Sequence, residues 1–86
     1  MEHQYWASPV ELELHGIGKY RIVTGTKHAA ECLLTLWPVD DGKAYQQALS
    51  ECFAALDGQK PPEAARQAFI EAADEAHIYV RQKKLT

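Results

Sequence analysis

Six residues near the middle of the chain, Trp37-Pro38-Val39-Asp40-Asp41-Gly42, stop one helix and start another. Proline has no backbone N–H and restrains the residue before it, so the apolar helical pattern upstream ends at Trp37. Downstream, Tyr45, Ala48, Leu49, Cys52, Phe53 and Leu56 recur at i, i+3, i+4, i+7, i+8 and i+11, the spacing of one helix face. The hexapeptide is therefore the joint of a helical hairpin, and most of the fold is built around it.

With 86 residues the chain has material for one domain and one modest core, burying roughly 60–65% of the surface its unfolded form exposes. Its 47% hydrophobic content is that of a globular protein. The longest apolar runs are only a few residues, too short to span a membrane. Met1 to Trp6 lacks the basic and long apolar regions of a secretory leader, so a cytoplasmic location is expected. The charge is uneven. Residues 40–75 hold eight Asp/Glu against three Lys/Arg, whereas Arg81, Lys83 and Lys84 make the last residues basic. An acidic helical half repels phosphates, which argues against a nucleic-acid partner. The basic end reads as a solvated tail over 82–86.

Before the first helix the pattern has period two. Residues 1–8 show no periodicity and read as a loose segment, packed if at all through Tyr5 and Trp6. From about 9 to 15, Val10, Leu12 and Leu14 alternate with Glu11, Glu13 and His15. A second alternating run covers about 19–24, after Gly16-Ile17-Gly18. The two make a β-hairpin. A three-residue loop pairs Leu14 with Tyr20, Leu12 with Ile22 and Glu13 with Arg21, which places apolar residues together and pairs the charges. This is the predicted register.

The first helix is expected over about 26–37, with Thr26 as N-cap and a core face of Ala29, Ala30, Leu33, Leu36 and Trp37. The second, over about 41–57, is capped by Asp40 or Asp41 and stopped by Gly58. Pro61-Pro62 opens the third, over about 62–76. Ala65, Ala68, Phe69, Ala72, Ala73 and Ala76 give that helix a small-residue face with one large knob. Ile78-Tyr79-Val80 then reads either as a short third strand, about 78–81, at the hairpin edge, or as a continuation of the helix. The fold class is α+β, a single domain over 9–81 in which helices cover the apolar face of the hairpin.

Candidate chemistry is sparse. The junction Thr24-Gly25-Thr26-Lys27-His28 offers helix N–H groups, hydroxyls and a lysine, so Thr26, Lys27 and His28 are anion-binding candidates; capping alone also accounts for the threonines. Gly16-x-Gly18 lacks the third glycine of a dinucleotide fingerprint. His28 and Cys32 are spaced for one helix face, but there is no CxxC or HxxxH pair, and no metal or other cofactor is expected. Cys32 and Cys52 fall on apolar faces as buried thiols, or as a disulfide should those faces meet in register. No nucleophile–base constellation stands out, and the acids of helix three (Glu63, Glu71, Asp74, Glu75) look like a solvated face. Trp6 and Trp37 are candidate interface anchors, with core packing the competing role.

The sequence resembles domain-of-unknown-function family 982, short proteins common in soil and plant-associated alphaproteobacteria. The resemblance rests on Trp37-Pro38, Gly42, Tyr45, Ala48, Cys52, Leu56, Gly58, Glu63, Ala65-Arg66, Phe69 and Ala72-Ala73, in order and spacing, over roughly residues 10–81. The family tends to place glycine where His77 stands and a small capping residue at Pro61. The resemblance supports the α+β fold and brings no catalytic residues. The expected function is a small non-enzymatic interaction or regulatory module, with a protein partner or self-association; the alternative is a small anion or metabolite binder using 24–28.

Overall fold

The computed structural model describes residues 5–13, 20–38 and 40–82. Three strands, β1 (Tyr5–Glu13), β2 (Tyr20–Gly25) and β3 (Val80–Gln82), form an antiparallel sheet in the order β2-β1-β3. Between β2 and β3 come three helices, α1 (Thr26–Thr35), α2 (Lys43–Leu56) and α3 (Pro62–Glu75). The α+β class, the three helices and the third strand agree with the sequence pattern. α3 packs on β1, α2 and α1, while α2 lies mainly against α3 and α1.

The hairpin register differs from the expected one. Glu13 opposes Tyr20, Leu12 opposes Arg21, Glu11 opposes Ile22 and Val10 opposes Val23. The strand residues with fully buried side chains are Val10, Leu12 and Val23. Directly opposed residues share a face, so burying Val23 against Val10 beneath the helices fixes the parity. Tyr20 and Ile22 are thereby sent to the other face. Arg21 shares the helix side but sits at the exposed edge, where its charge reaches Cys32. Tyr20 lies opposite Glu13, which also overturns the expected Leu14–Tyr20 pair; the Gly16-Ile17-Gly18 loop lies outside the described residues, as do residues 1–4 and the tail beyond Gln82.

Strand β1 also starts earlier than the alternation suggested, at Tyr5 inside the stretch expected to be loose. Between the pairs Tyr5–Gly25 and Val10–Val23, β1 runs through four residues and β2 through one. This bulge accommodates Pro9, which a regular central strand would not. It turns Trp6 inward, where the indole Nε1 donates to Thr26 Oγ1 at 3.1 Å. Arg66 Nε donates to the carbonyl of Ser8 at 2.9 Å, so a carbonyl of the bulge is satisfied from α3.

At the centre, fully buried Phe69 is flanked by two tryptophans. Its ring lies 5.8 Å from that of Trp6 and 5.3 Å from that of Trp37, tilted in both cases, the offset geometry aromatic pairs prefer. Small residues let the helices approach this knob: Ala65, Ala68, Ala72 and Ala73 of α3 and Ala48 and Ala55 of α2 are all buried. The apolar stripe of α2 is rotated from the one expected. Tyr45, Ala48, Glu51, Cys52 and Ala55 face inward, while Phe53 and Leu56 are exposed. Close packing against α3 favours the alanines over the larger side chains.

The helix ends correct several expected caps. Gly25, not Thr26, is the N-cap of α1. Gly42 is the N-cap of α2, and neither Asp40 nor Asp41 caps it. The carboxylate of Glu75, at the far end of α3, fills that place instead, accepting from the backbone N–H groups of Ala44 at 3.0 Å and Tyr45 at 3.1 Å. A negative charge there complements the helix dipole. On the other side of the joint, the Tyr45 hydroxyl donates to the carbonyl of Leu33 in the last turn of α1 at 2.9 Å. The helical hairpin is thus clasped from both sides, although α1 stops at Thr35, two residues short of Trp37.

Two helices end alike. After α2, Gly58 has φ 83° and its N–H bonds the carbonyl of Ala55, while Gln59 N–H bonds that of Ala54. After α3, His77 has φ 59°; its N–H bonds the carbonyl of Asp74, and Ile78 N–H that of Ala73. Both are paired-bond left-handed stops. Histidine fills a place that glycine occupies without steric cost, at a penalty of about 1 kcal/mol. His77→Gly is therefore expected to raise the melting temperature by about 4–8 °C. Calorimetry showing no gain would mean the left-handed turn carries no strain.

Candidate interaction surface

The expected anion-binding residues do not converge. Thr26 is fully buried and its hydroxyl is taken by Trp6. Lys27 is exposed and His28 half-buried on the next positions of α1. The helix has no side-chain cap, but its first turn gathers only two of the three groups at the surface. Cys32 and Cys52 are buried free thiols. Burial pushes both thiols up, Cys52 to about 12, which holds them protonated and unreactive. Among the described residues no three His, Cys, Asp or Glu side chains are grouped as a metal site requires.

Glu51 is a nearly buried acid on α2. It accepts from Lys60 Nζ at 2.9 Å and Gln47 Nε2 at 2.7 Å. The bond from Lys60 holds its carboxyl below the ordinary value. It remains ionised and paired, and ties the turn after α2 back to that helix.

Of the two interface candidates, Trp6 is a core residue. Trp37 is partly buried against the core, stacked on Phe69. Its indole N–H has no hydrogen-bond partner among the described residues. An unpaired buried donor costs about 1–3 kcal/mol, offset here by ring packing.

The surface with binding character is one the sequence did not single out. It is the face of the sheet opposite the helices. The register aligns two rows of side chains across β2, β1 and β3: Tyr20, Glu13 and Tyr79, then Ile22, Glu11 and Arg81. Tyr20, Ile22 and Tyr79 are 42%, 49% and 57% exposed, large for apolar side chains on one face. Arg81 Nε donates to Glu11 Oε1 at 2.8 Å, and its guanidinium lies 4.7 Å from the centre of the Tyr20 ring. That bond raises the Arg81 pKa further, so the guanidinium stays charged and held in place. Tyrosine and arginine are the residue types that most often anchor protein interfaces. The parity of a single valine conceals this face in the sequence: with Val23 assigned outward, Tyr20 and Ile22 are read as core.

The family described as "Protein of unknown function (DUF982)" matches residues 8–80. No curated protein matches the chain. The NMR structure of the Agrobacterium tumefaciens protein Atu1219 is similar, at 35% identity and a TM-score of 0.76, covering 96% of this chain and 82% of that one. The order of elements and the match over most of the chain agree with the residue pattern around Trp37-Pro38 and Phe69, and the chain belongs to the DUF982 family.

Proposed function

We propose that the chain is a non-enzymatic interaction or regulatory module that binds a protein partner through the outer face of its sheet. The observation that carries this reading is the exposed cross-strand array of Tyr20, Ile22 and Tyr79 around the Glu11–Arg81 pair. A two-layer domain buries one sheet face on its helices and commonly solvates the other with polar residues. Here the solvated face keeps two tyrosines and an isoleucine, and Arg81 is pre-positioned by its ion pair. A partner docking there would not have to order that side chain again. No helix of the described residues is long and apolar enough to cross a membrane.

Paired affinity capture from the host tests the reading, with the tagged chain and its Tyr20→Ser/Ile22→Ser variant as baits. Both substituted side chains are exposed, so the variant is expected to fold with unchanged circular dichroism. The expected result is one or more proteins retained by the parent and lost from the variant. Identical captures by two folded baits would overturn the reading.

A further inference from the structure

A second surface lies at the opposite edge of β3. The N–H of Glu13 bonds the carbonyl of Tyr79 at 2.9 Å, so Glu13 and Tyr79 are a hydrogen-bonded pair of the antiparallel ladder. Such pairs alternate with non-bonded ones. Glu11–Arg81 is then the next bonded pair, and Leu12–Val80 and Val10–Gln82 are non-bonded pairs. Val80 and Gln82 therefore turn their backbone donors and acceptors away from β1, and among the described residues no strand pairs with that edge. Beside it runs a groove of about 670 Å³ between β3 and the last turns of α3. Ile70, Ile78 and Val80 give it apolar lining, and Glu71 and Asp74 an acidic wall. An unpaired edge next to a helix is the setting in which an added strand binds.

We propose that the strand added there is β3 of a second copy of this chain, in an isologous dimer with a continuous six-stranded sheet. Charge complementarity selects this occupant. The residues that follow β3 are Lys83 and Lys84, and the acidic wall lies beside the residues that precede it. Antiparallel pairing about a two-fold axis carries each copy's lysines past the other copy's Ile78–Val80, next to Glu71 and Asp74, and does so twice. Side-chain parity agrees. Val80 shares the helix side with Leu12, so strands paired through these outward groups keep both α3 helices on one side of the joined sheet. The paired segment is short, so the dissociation constant is expected on the order of 10–100 µM, the weak range for small interfaces. The site shares Tyr79 with the outer face of the sheet but includes neither Tyr20 nor Ile22.

Sedimentation of the full chain across a concentration series, with two charge-reversed variants, tests this. The wild type is expected to show a reversible monomer–dimer equilibrium. Glu71→Lys/Asp74→Lys opposes a basic wall to basic lysines, and Lys83→Glu/Lys84→Glu opposes acid to acid. Each variant alone is expected to dimerise at least about tenfold more weakly. Mixed in equal amounts, both contacts become attractive, and a heterodimer within about threefold of wild-type affinity is expected. A wild type that stays monomeric at millimolar concentration, or a mixture that forms no heterodimer, would overturn the proposal. Restoration in the mixture also shows that both variants fold. The Tyr20→Ser/Ile22→Ser variant is expected to dimerise normally, so loss of outer-face binding and loss of self-pairing are separable.

Discussion

Phe69→Ala is expected to lose about 3–5 kcal/mol of stability. A domain of this length holds roughly 4–13 kcal/mol in total, so the substitution removes from about a quarter to all of it. The size of the effect follows from the position. Phe69 is fully buried, touches both tryptophans, and is surrounded by alanines that have no long side chains to swing into the space. The cavity therefore stays open, and both aromatic pairs are lost with it. Urea unfolding followed by tryptophan fluorescence measures this, because Trp6 and Trp37 both report on the site. Phe69→Leu, which keeps much of the volume, is expected to cost far less. A loss below about 1 kcal/mol for the alanine variant would mean the helices collapse onto the gap, contrary to the rigid small-residue packing described above.

The second large effect concerns the clasp at the helical joint. Glu75→Ala removes a charged cap with two hydrogen bonds and is expected to cost about 1–2 kcal/mol. Gly42→Ala should act through the same carboxylate, because a Cβ at Gly42 would overlap the Glu75 side chain. Yet the backbone of Gly42, at φ −81°, suits any residue. Once Glu75 is gone, the reduced freedom of the unfolded chain and the poorer N-cap preference of alanine offset each other, and the substitution is expected to be within about 0.5 kcal/mol of neutral. Gly42→Ala is thus costly only where Glu75 is present. A double-mutant cycle by chemical denaturation reads this directly, with a coupling of at least about 1 kcal/mol expected. Additive costs would mean that Glu75 does not cap α2 in solution.

These two sites show what a sequence of this kind makes legible. Pro38, Gly58 and Pro62 punctuate the chain locally, through missing donors and left-handed turns, so the helices could be placed within a few residues. The α3 face could be read from its alanines and Phe69, because one helix face is a local periodic property. Glu75 could not be read as a cap. It partners residues about thirty positions away, and its neighbours Glu71 and Asp74 make it look like one more solvated acid. Trp6 was obscured by the bulge, which breaks the alternation that would announce a strand. The hairpin register turned on whether Ile22 or Val23 lies under the helices. Residue types alone leave that balanced, and the helix layer decides it. The outer face with Tyr20, Ile22, Tyr79 and Arg81 followed from the same decision and was hidden with it.

The order of the sheet also bears on synthesis. β1 is the middle strand, but its two neighbours are separated in the chain by all three helices. As translation proceeds, β1 can pair with β2 almost at once. Its other edge waits for Val80–Gln82, nearly seventy residues after Leu12, which at ribosomal rates is roughly 4–14 s. During that interval the nascent chain presents an open strand edge to its neighbours on a polysome. Glu11 and Glu13 lie within the strand left open, and charges at such positions discourage strand-to-strand aggregation. Before Glu11 becomes the partner of Arg81, it serves as a gatekeeper for an unfinished sheet.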